Sequence, residues 1–384
     1  MTWRAYFIET KTGLKGPEIE MSTNGRWDVR LNGHENCTVT VQKDSLRGID
    51  REWWSFMRGG ILLTFTTYDG VERPIIAGPI RGFPSEYTDS MSFAVGGIRD
   101  LLECRTFIGG GRENKRAPSI AEARELMKKS LTFTDSCPAY MAQYLTLLSM
   151  DQVGADLPIR IATPAPAKGG GHQRTFAYHK VAQSFIDTIL TDLSDEEGGP
   201  DIMFRPEWMD ANQTHIRWAM HTGNDVSPYI PQSYFMDIDT TSRHTPASEV
   251  SLEVGGEGSV ATRVWATGDG EGSAIAVAVR ESYSSHANGV PLIERHTSHQ
   301  GVTELSTLSA RAGAGVTLAP TVELHLSLDC QDERAPLGLW SVGDVMRVTV
   351  EDWFYLPRGT YNMRIIRAQG DLDSSHATLY LQED

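Results

Sequence analysis

The chain has 384 residues, 40% of them hydrophobic, enough to bury a sizeable core and to form two or three domains. Its 35 basic residues stand against 50 acidic ones, a formal net charge of -15 that argues against a protein built to grip nucleic acid or an anionic membrane. Four cysteines, Cys37, Cys104, Cys137 and Cys330, lie far apart with no Cys-x-x-Cys pair, which points to reduced thiols in a cytoplasm and away from a zinc site or a disulfide scaffold.

The start, Met1 to Tyr6, lacks the basic and apolar stretches of a secretory signal, and no apolar run approaches the roughly 20 residues that span a bilayer. A soluble chain made in a cytoplasm is expected. Residues 1 to 112 alternate short β-type runs with turns: Arg4 to Thr10, Trp27 to Leu31, Cys37 to Val41, Gly60 to Tyr68, Arg73 to Ile80 and Tyr87 to Ala94. Asp69-Gly70 is a hairpin signal, because glycine tolerates the positive φ that such turns demand. Gly109-Gly110-Gly111-Arg112 then breaks the pattern and marks a first domain boundary.

From 113 to about 200 the spacing turns helical. Pro118-Ser119 opens a helix through Met127, and Ala139 to Met150 and Ala177 to Leu193 give two more, the last with Phe185, Ile189 and Leu193 on one face. Thr163 to Gly171, rich in Pro and Gly, reads as an exposed loop where a protease cuts first. Strand-like pieces at Ile202 to Arg205 and His215 to Met220 complete a small α+β unit, with a second boundary near 240 to 252. Strands return at Ile275 to Val279, Val322 to Leu328, Val345 to Val350, Met363 to Arg367 and Ala377 to Leu381, with a helix-like Thr303 to Ala314 between the first two.

Several features of this last third carry a resemblance. They are the Gly268-Asp269-Gly270-Glu271-Gly272 loop, the Pro291-Leu292-Ile293-Glu294 step, the helix at 303 to 314, Gly343-Asp344-Val345 and the closing Arg364-Ile365-Ile366-Arg367. In this order they resemble the minor tail proteins of long-tailed actinobacterial phages, which are similar in turn to tail-hub proteins. Asp201 to Trp208 and His215 to Gly223 add a second match, so the resemblance covers most of the chain. It implies a β-rich α+β fold with two β-barrel-like tube domains, 1–112 and 251–384, and a mixed α/β peripheral insertion domain, 113–250. In that family three subunits close a ring, and two barrels in each give six similar units around a channel, matching a hexameric tail tube.

No catalytic, cofactor or metal site is assigned. In Glu294-Arg295-His296-Thr297-Ser298-His299 two imidazoles and a carboxylate could face a cation, but the spacing is not His-Glu-x-x-His, an extended segment sends His296 and His299 to opposite faces, and no third ligand is near. The loop from Gly268 to Gly272 has glycines suited to cradling a phosphate, yet its carboxylates would repel one, and it lacks the lysine and hydroxyl of a nucleotide site. Asp237-Ile238-Asp239 and Asp371-Leu372-Asp373 read as solvated strand ends, and His179 as an amphipathic-helix residue beside Phe176 and Phe185. Trp53-Trp54 and Trp353-Phe354-Tyr355 read as fillers of cores or subunit seams, with stacking of sugars or bases as the other use of such rings. No serine stands in Gly-x-Ser-x-Gly.

The expected protein is therefore a structural virion component of a phage tail tip rather than an enzyme. It would form a homotrimeric hub ring joining the tail tube and distal tail protein to the tip machinery, with the tape measure protein and other minor tail proteins as partners and a channel left for DNA. No tight nucleic-acid binding, membrane insertion or cofactor is expected. The alternative is a cell-wall-degrading or carbohydrate-binding tail-tip protein. Wall-degrading tip proteins usually append a catalytic domain, for which the end at Gln382-Glu383-Asp384 is expected to leave no room.

Overall fold

The structure is a computed structural model that describes residues 3–22, 25–108, 118–152, 154–181, 184–196, 198–255, 261–270, 272–299, 302, 304–316 and 322–383. The glycine break at 109–112, residues 256–258, Glu271 and Thr303 lie outside the described residues.

The first third holds β1 (Trp3–Glu9), β2 (Lys15–Ile19), β3 (Arg26–Arg30), β4 (Asn36–Gln42), β5 (Gly59–Thr66), β6 (Glu72–Glu86) and β7 (Ser90–Gly96). The apolar run of β5 does not alternate because both of its faces are covered. Ile61, Leu63 and Phe65 join Trp3, Ala5 and Phe7 of β1 in one core, while Leu62 joins Tyr6 and Ile8 in a second. The β5–β6 hairpin turns at Asp69-Gly70, with Gly70 at φ 75 and Asp69 accepting the Val71 N–H at 3.0 Å.

Next come α1 (Arg99–Glu103), α2 (Ile120–Leu126), β8 (Ser130–Ser136), α3 (Pro138–Met150), β9 (Ile159–Ile161), β10 (His172–Ala177), α4 (Ile186–Ser194), β11 (Ile202–Trp208), β12 (Ile216–Thr222) and β13 (Asp237–Asp239). α2 begins on a capping box between Ser119 and Glu122. α3 begins on Cys137, whose buried sulfur accepts the Tyr140 N–H at 3.3 Å, with Pro138 in the first turn where its missing N–H costs nothing. The helix expected from Ala177 is shorter. Residues 172–177 pair as a strand with β8, and α4 starts only after Phe185, burying Ile186, Ile189, Leu190 and Leu193. The second core lies between these elements and the back of β1, β5 and β6. At its centre Trp218 is wholly buried and donates from Nε1 to the Ala77 carbonyl at 2.8 Å.

The rest comprises β14 (Ala247–Val254), β15 (Arg263–Thr267), β16 (Val277–Glu281), α5 (Tyr283–Ala287), β17 (Glu294–Ser298), α6 (Leu305–Ala314), β18 (Val322–Asp329), β19 (Val345–Val350), β20 (Gly359–Asp371) and β21 (His376–Glu383). The three strands β15 to β17 and α6 enclose a small core of their own around Val264, Ala266, Leu308 and Ala312. The remaining strands belong to one 13-stranded sheet in the order β14-β18-β21-β20-β3-β4-β7-β6-β5-β1-β2, with β19 beside β20 and β13 parallel to β19.

The expected β-rich fold is present, but among the described residues these pairings run as one open path and no barrel closes. Two long strands account for this. β6 pairs with β5 up to Pro79 and with β7 from Ile80, and β20 turns from β19 to β3 at Arg367, so the N- and C-terminal strands share one ladder and one core. No helix among the described residues is long and apolar enough to cross a membrane.

Candidate functional site

The short β3–β4 connection ties together parts of the chain that are distant in sequence. Asn32 takes the left-handed backbone, φ 56, a conformation that asparagine enters more readily than most non-glycine residues. Its Nδ2 donates to Asp201 Oδ1 at 3.1 Å, its Oδ1 accepts the Ile202 N–H at 2.7 Å, and its carbonyl accepts from Arg99. Two residues on, the His34 ring spans two carboxylates, Nδ1 to Asp100 Oδ1 at 2.8 Å and Nε2 to Asp187 Oδ2 at 3.1 Å. Arg99 closes the circuit from Nε to Asp187 Oδ1 at 2.6 Å, and Arg81 pairs with Asp100. Gly96 is needed here, since a Cβ at that position would overlap Asp100 Oδ2.

Electrostatics follow from this wiring. The hydrogen bonds to Asp100 and then Asp187 outweigh partial burial and push His34 up to about 9. Burial, helped by the Asp100 charge, pushes the neighbouring Glu35 carboxyl up to about 8. Burial also works against the charge on Asp187, yet the His34 hydrogen bond and the Arg99 guanidinium hold it below the usual carboxylate range. With both ring nitrogens donating to carboxylates, His34 is an imidazolium without a free lone pair. It acts as an ionic lock and not as a general base.

A second polar seam lies nearby and uses residues of the tail-like motifs. Asp201 pairs with Arg364 of β20, whose guanidinium lies 4.1 Å over the Tyr229 ring, and Arg367 holds Asp28 of β3 with bonds of 2.8 and 2.9 Å. In Gly343-Asp344-Val345, Gly343 sits at φ 95, and the buried Asp344 accepts the N–H groups of Ser233 and Ser341, each at 2.9 Å. These motifs are joints between segments.

The residues singled out in the sequence are dispersed. His296 lies exposed on β17 with Nε2 2.9 Å from Thr267 Oγ1, and Glu294 is held by Arg263 and Trp265 at 3.0 and 2.9 Å. His299 Nδ1 lies 2.8 Å from Arg311 Nη1, and burial with the Arg311 charge lowers its pKa. Asp269 pairs with Lys180 at 2.8 Å, and Gly270 has φ 129. Asp237 pairs with Arg347, Asp239 accepts the Thr241 N–H at 2.9 Å, and Asp371 meets Arg26 at 3.0 Å.

His179 stands in a turn after β10, not on a helix, because the β8–β10 pairing claims the preceding residues. It lines a cleft of about 470 Å³ with Lys180, Asp192, Thr307 and Arg311, where Arg311 meets Asp192 at 3.1 Å. Trp53, Trp54 and Trp353 pack against the first core, whereas Phe354 is 93% exposed. The Pro/Gly loop runs along the surface but is tied down. Gln143 Nε2 donates to the Thr163 carbonyl at 2.8 Å, and Asp135 accepts from the N–H groups of Gly169 and Gly171 at 3.2 and 3.1 Å.

The His34 joint is not legible in the sequence. Its one local signal is the polar run Asn32-Gly33-His34-Glu35-Asn36 between two strands, which also fits an ordinary turn.

No protein-family model matches the chain, and no curated protein does. In fold it is similar to the tail protein from Neisseria meningitidis MC58, with 11% sequence identity and a TM-score of 0.53 over 100% of this chain and 97% of that one. It is likewise similar to the 43 kDa tail protein of prophage MuSo2 from Shewanella oneidensis, with 9% identity and a TM-score of 0.51 over 99% and 98% of the two chains. From end to end, the chain has the fold of solved tail proteins.

Proposed function

We propose that the chain is a structural subunit of the tail tip of a long-tailed phage of actinobacteria, made in the host cytoplasm and carried in the virion. Three copies close a hub ring between the tail tube with its distal tail protein and the tip machinery, in contact with the tape measure protein and other minor tail proteins. Residues 1–112 and 251–384, which carry most strands of the main sheet, form the tube wall as two barrel-like units around a DNA channel. Residues 113–250 lie outside that wall apart from β13 and the start of β14, which belong to the main sheet, with α3, α4, β11 and β12 packed on the back of β1, β5 and β6.

The observation that carries this reading is the likeness of fold to two tail proteins along essentially the whole of each chain. A site whose imidazole is locked between two carboxylates supports a structural role over catalysis. Light scattering coupled to size exclusion tests the ring: a trimer mass at high concentration is expected, and a stable monomer that also occupies a non-threefold position in the particle would refute it.

One observation favours a second reading, contact with a surface glycan. Phe354 and Tyr355, 93% and 56% exposed and 5.0 Å apart, form an aromatic tip on the β19–β20 connection. Glycan-array binding lost in Phe354→Ser would support this role, and an array without any signal would remove it.

A further inference from the structure

β14 is the outer strand of the main sheet, and its register with β18 sets Glu253 opposite Glu323 and Ser251 opposite His325. Glu323 and His325 are two apart on one strand and so project from the same face, while the alternate residues Leu324 and Leu326 are buried in the core. Glu253 joins that outer face from the neighbouring strand. His325 Nε2 lies 2.7 Å from Glu323 Oε1 and 3.6 Å from Glu253 Oε2, and the three ligand atoms fall within 4.8 Å of one another. The ring is also oriented from outside the trio, by Tyr380 of β21 at a centroid distance of 4.4 Å, and Tyr380 lies in turn under the Arg367 guanidinium at 4.7 Å.

These separations suit a metal ion. At the ~2.0–2.1 Å bond lengths of zinc, two ligands of a tetrahedron stand roughly 3.3 Å apart, and the observed 2.7 and 3.6 Å bracket that value. One imidazole and two carboxylates make a donor set for zinc, cobalt or manganese, whereas calcium takes about six to eight oxygens and gains little from an imidazole. His325 and Glu323 are mostly covered, with side chains 17% and 25% exposed, and Glu253, 70% exposed, closes over them from the sheet edge.

We propose that Glu253, Glu323 and His325 bind one divalent transition ion of the zinc class on the outer face of the main sheet. Three protein ligands leave at least one coordination position for water. The ion neutralises two carboxylates beside an edge strand, where negative charge otherwise discourages strand addition. The proposal stands apart from the tail-tip reading, since neither requires the other.

The test is a titration of tag-free, chelator-treated protein with Co²⁺, read by its visible d–d absorption, followed by displacement with Zn²⁺. One saturating equivalent is expected, with binding weakened at least ~10-fold in His325→Ala and Glu323→Gln and unchanged in His296→Ala, which removes another exposed imidazole. Circular dichroism checks each variant. If His325→Ala misfolds, Glu253→Gln at the exposed position carries the test and should weaken binding by a similar factor. Absence of saturation, full affinity retained in a folded His325→Ala or Glu253→Gln, or loss in His296→Ala would overturn the assignment.

Discussion

The His34 joint should make stability fall as the pH rises through neutrality. A free imidazole titrates near 6.5, and the two carboxylates push His34 up to about 9. The protonated ring therefore stabilises the fold fully below pH 6.5, and that contribution is lost as pH rises through 9. At ~1.4 kcal/mol per pH unit the difference is bounded at ~3.5 kcal/mol, and because the side chain is 32% exposed, screening by water reduces this to ~2 kcal/mol. Glu35 acts in the same direction. Its carboxyl stays protonated in the fold up to about 8 while the unfolded chain ionises near 4.5, so stability is lost between those values.

Urea unfolding between pH 6 and 9.5 should therefore show wild type losing stability throughout. Substitution His34→Gln removes the imidazole contribution but leaves that of Glu35. The gap between wild type and His34→Gln should close by ~2 kcal/mol from pH 6 to pH 9.5. Parallel curves, with a gap constant to within ~0.5 kcal/mol, would refute the ionic lock.

Three further outcomes are expected. Trp218→Ala should cost ~3–5 kcal/mol in urea unfolding, because the indole is wholly buried and its loss also removes a hydrogen-bond donor from the Ala77 carbonyl; a cost below ~1 kcal/mol would contradict the second core. Asp135→Gly removes two acceptors from the Pro/Gly loop and relieves the backbone at φ 55, so limited proteolysis between Thr163 and Gly171 should run roughly tenfold faster than in wild type. Equal rates would mean that the loop is held elsewhere. With a net charge of -15 per chain, duplex DNA should show no micromolar, salt-sensitive binding in a low-salt titration, and such binding would overturn the expectation that the chain does not hold nucleic acid tightly.

The parts of the fold legible in the sequence are those whose cause is local. Alternation along Val322 to Leu328, the Asp69-Gly70 turn and the helix opened at Pro118-Ser119 each need only neighbours within a few residues, and each is in place. The helix expected from Ala177 starts late because Ala177 closes a strand whose pairing depends on β8, some 40 residues earlier, through pairs such as Ala177 with Ser130 and Thr175 with Thr132. The junction of β3 with β20 lies beyond any local pattern, since Arg30 and Arg367 meet only in the folded chain. His34 draws its partners from 66 and 153 positions away, so its neighbours in sequence say nothing of its charge. Glu323-x-His325 was readable as two donors on one strand face, whereas Glu253 joins them only through the β14–β18 register.

The most direct test of the hub proposal is an electron cryomicroscopy reconstruction of the purified chain at high concentration, refined without imposed symmetry. Rings of three copies are expected, with the main sheet lining a central channel, residues 113–250 on the outside and no arginine belt in the lumen. Rings whose channel is lined by 113–250, or monomers at every concentration together with a non-threefold position in the particle, would contradict it.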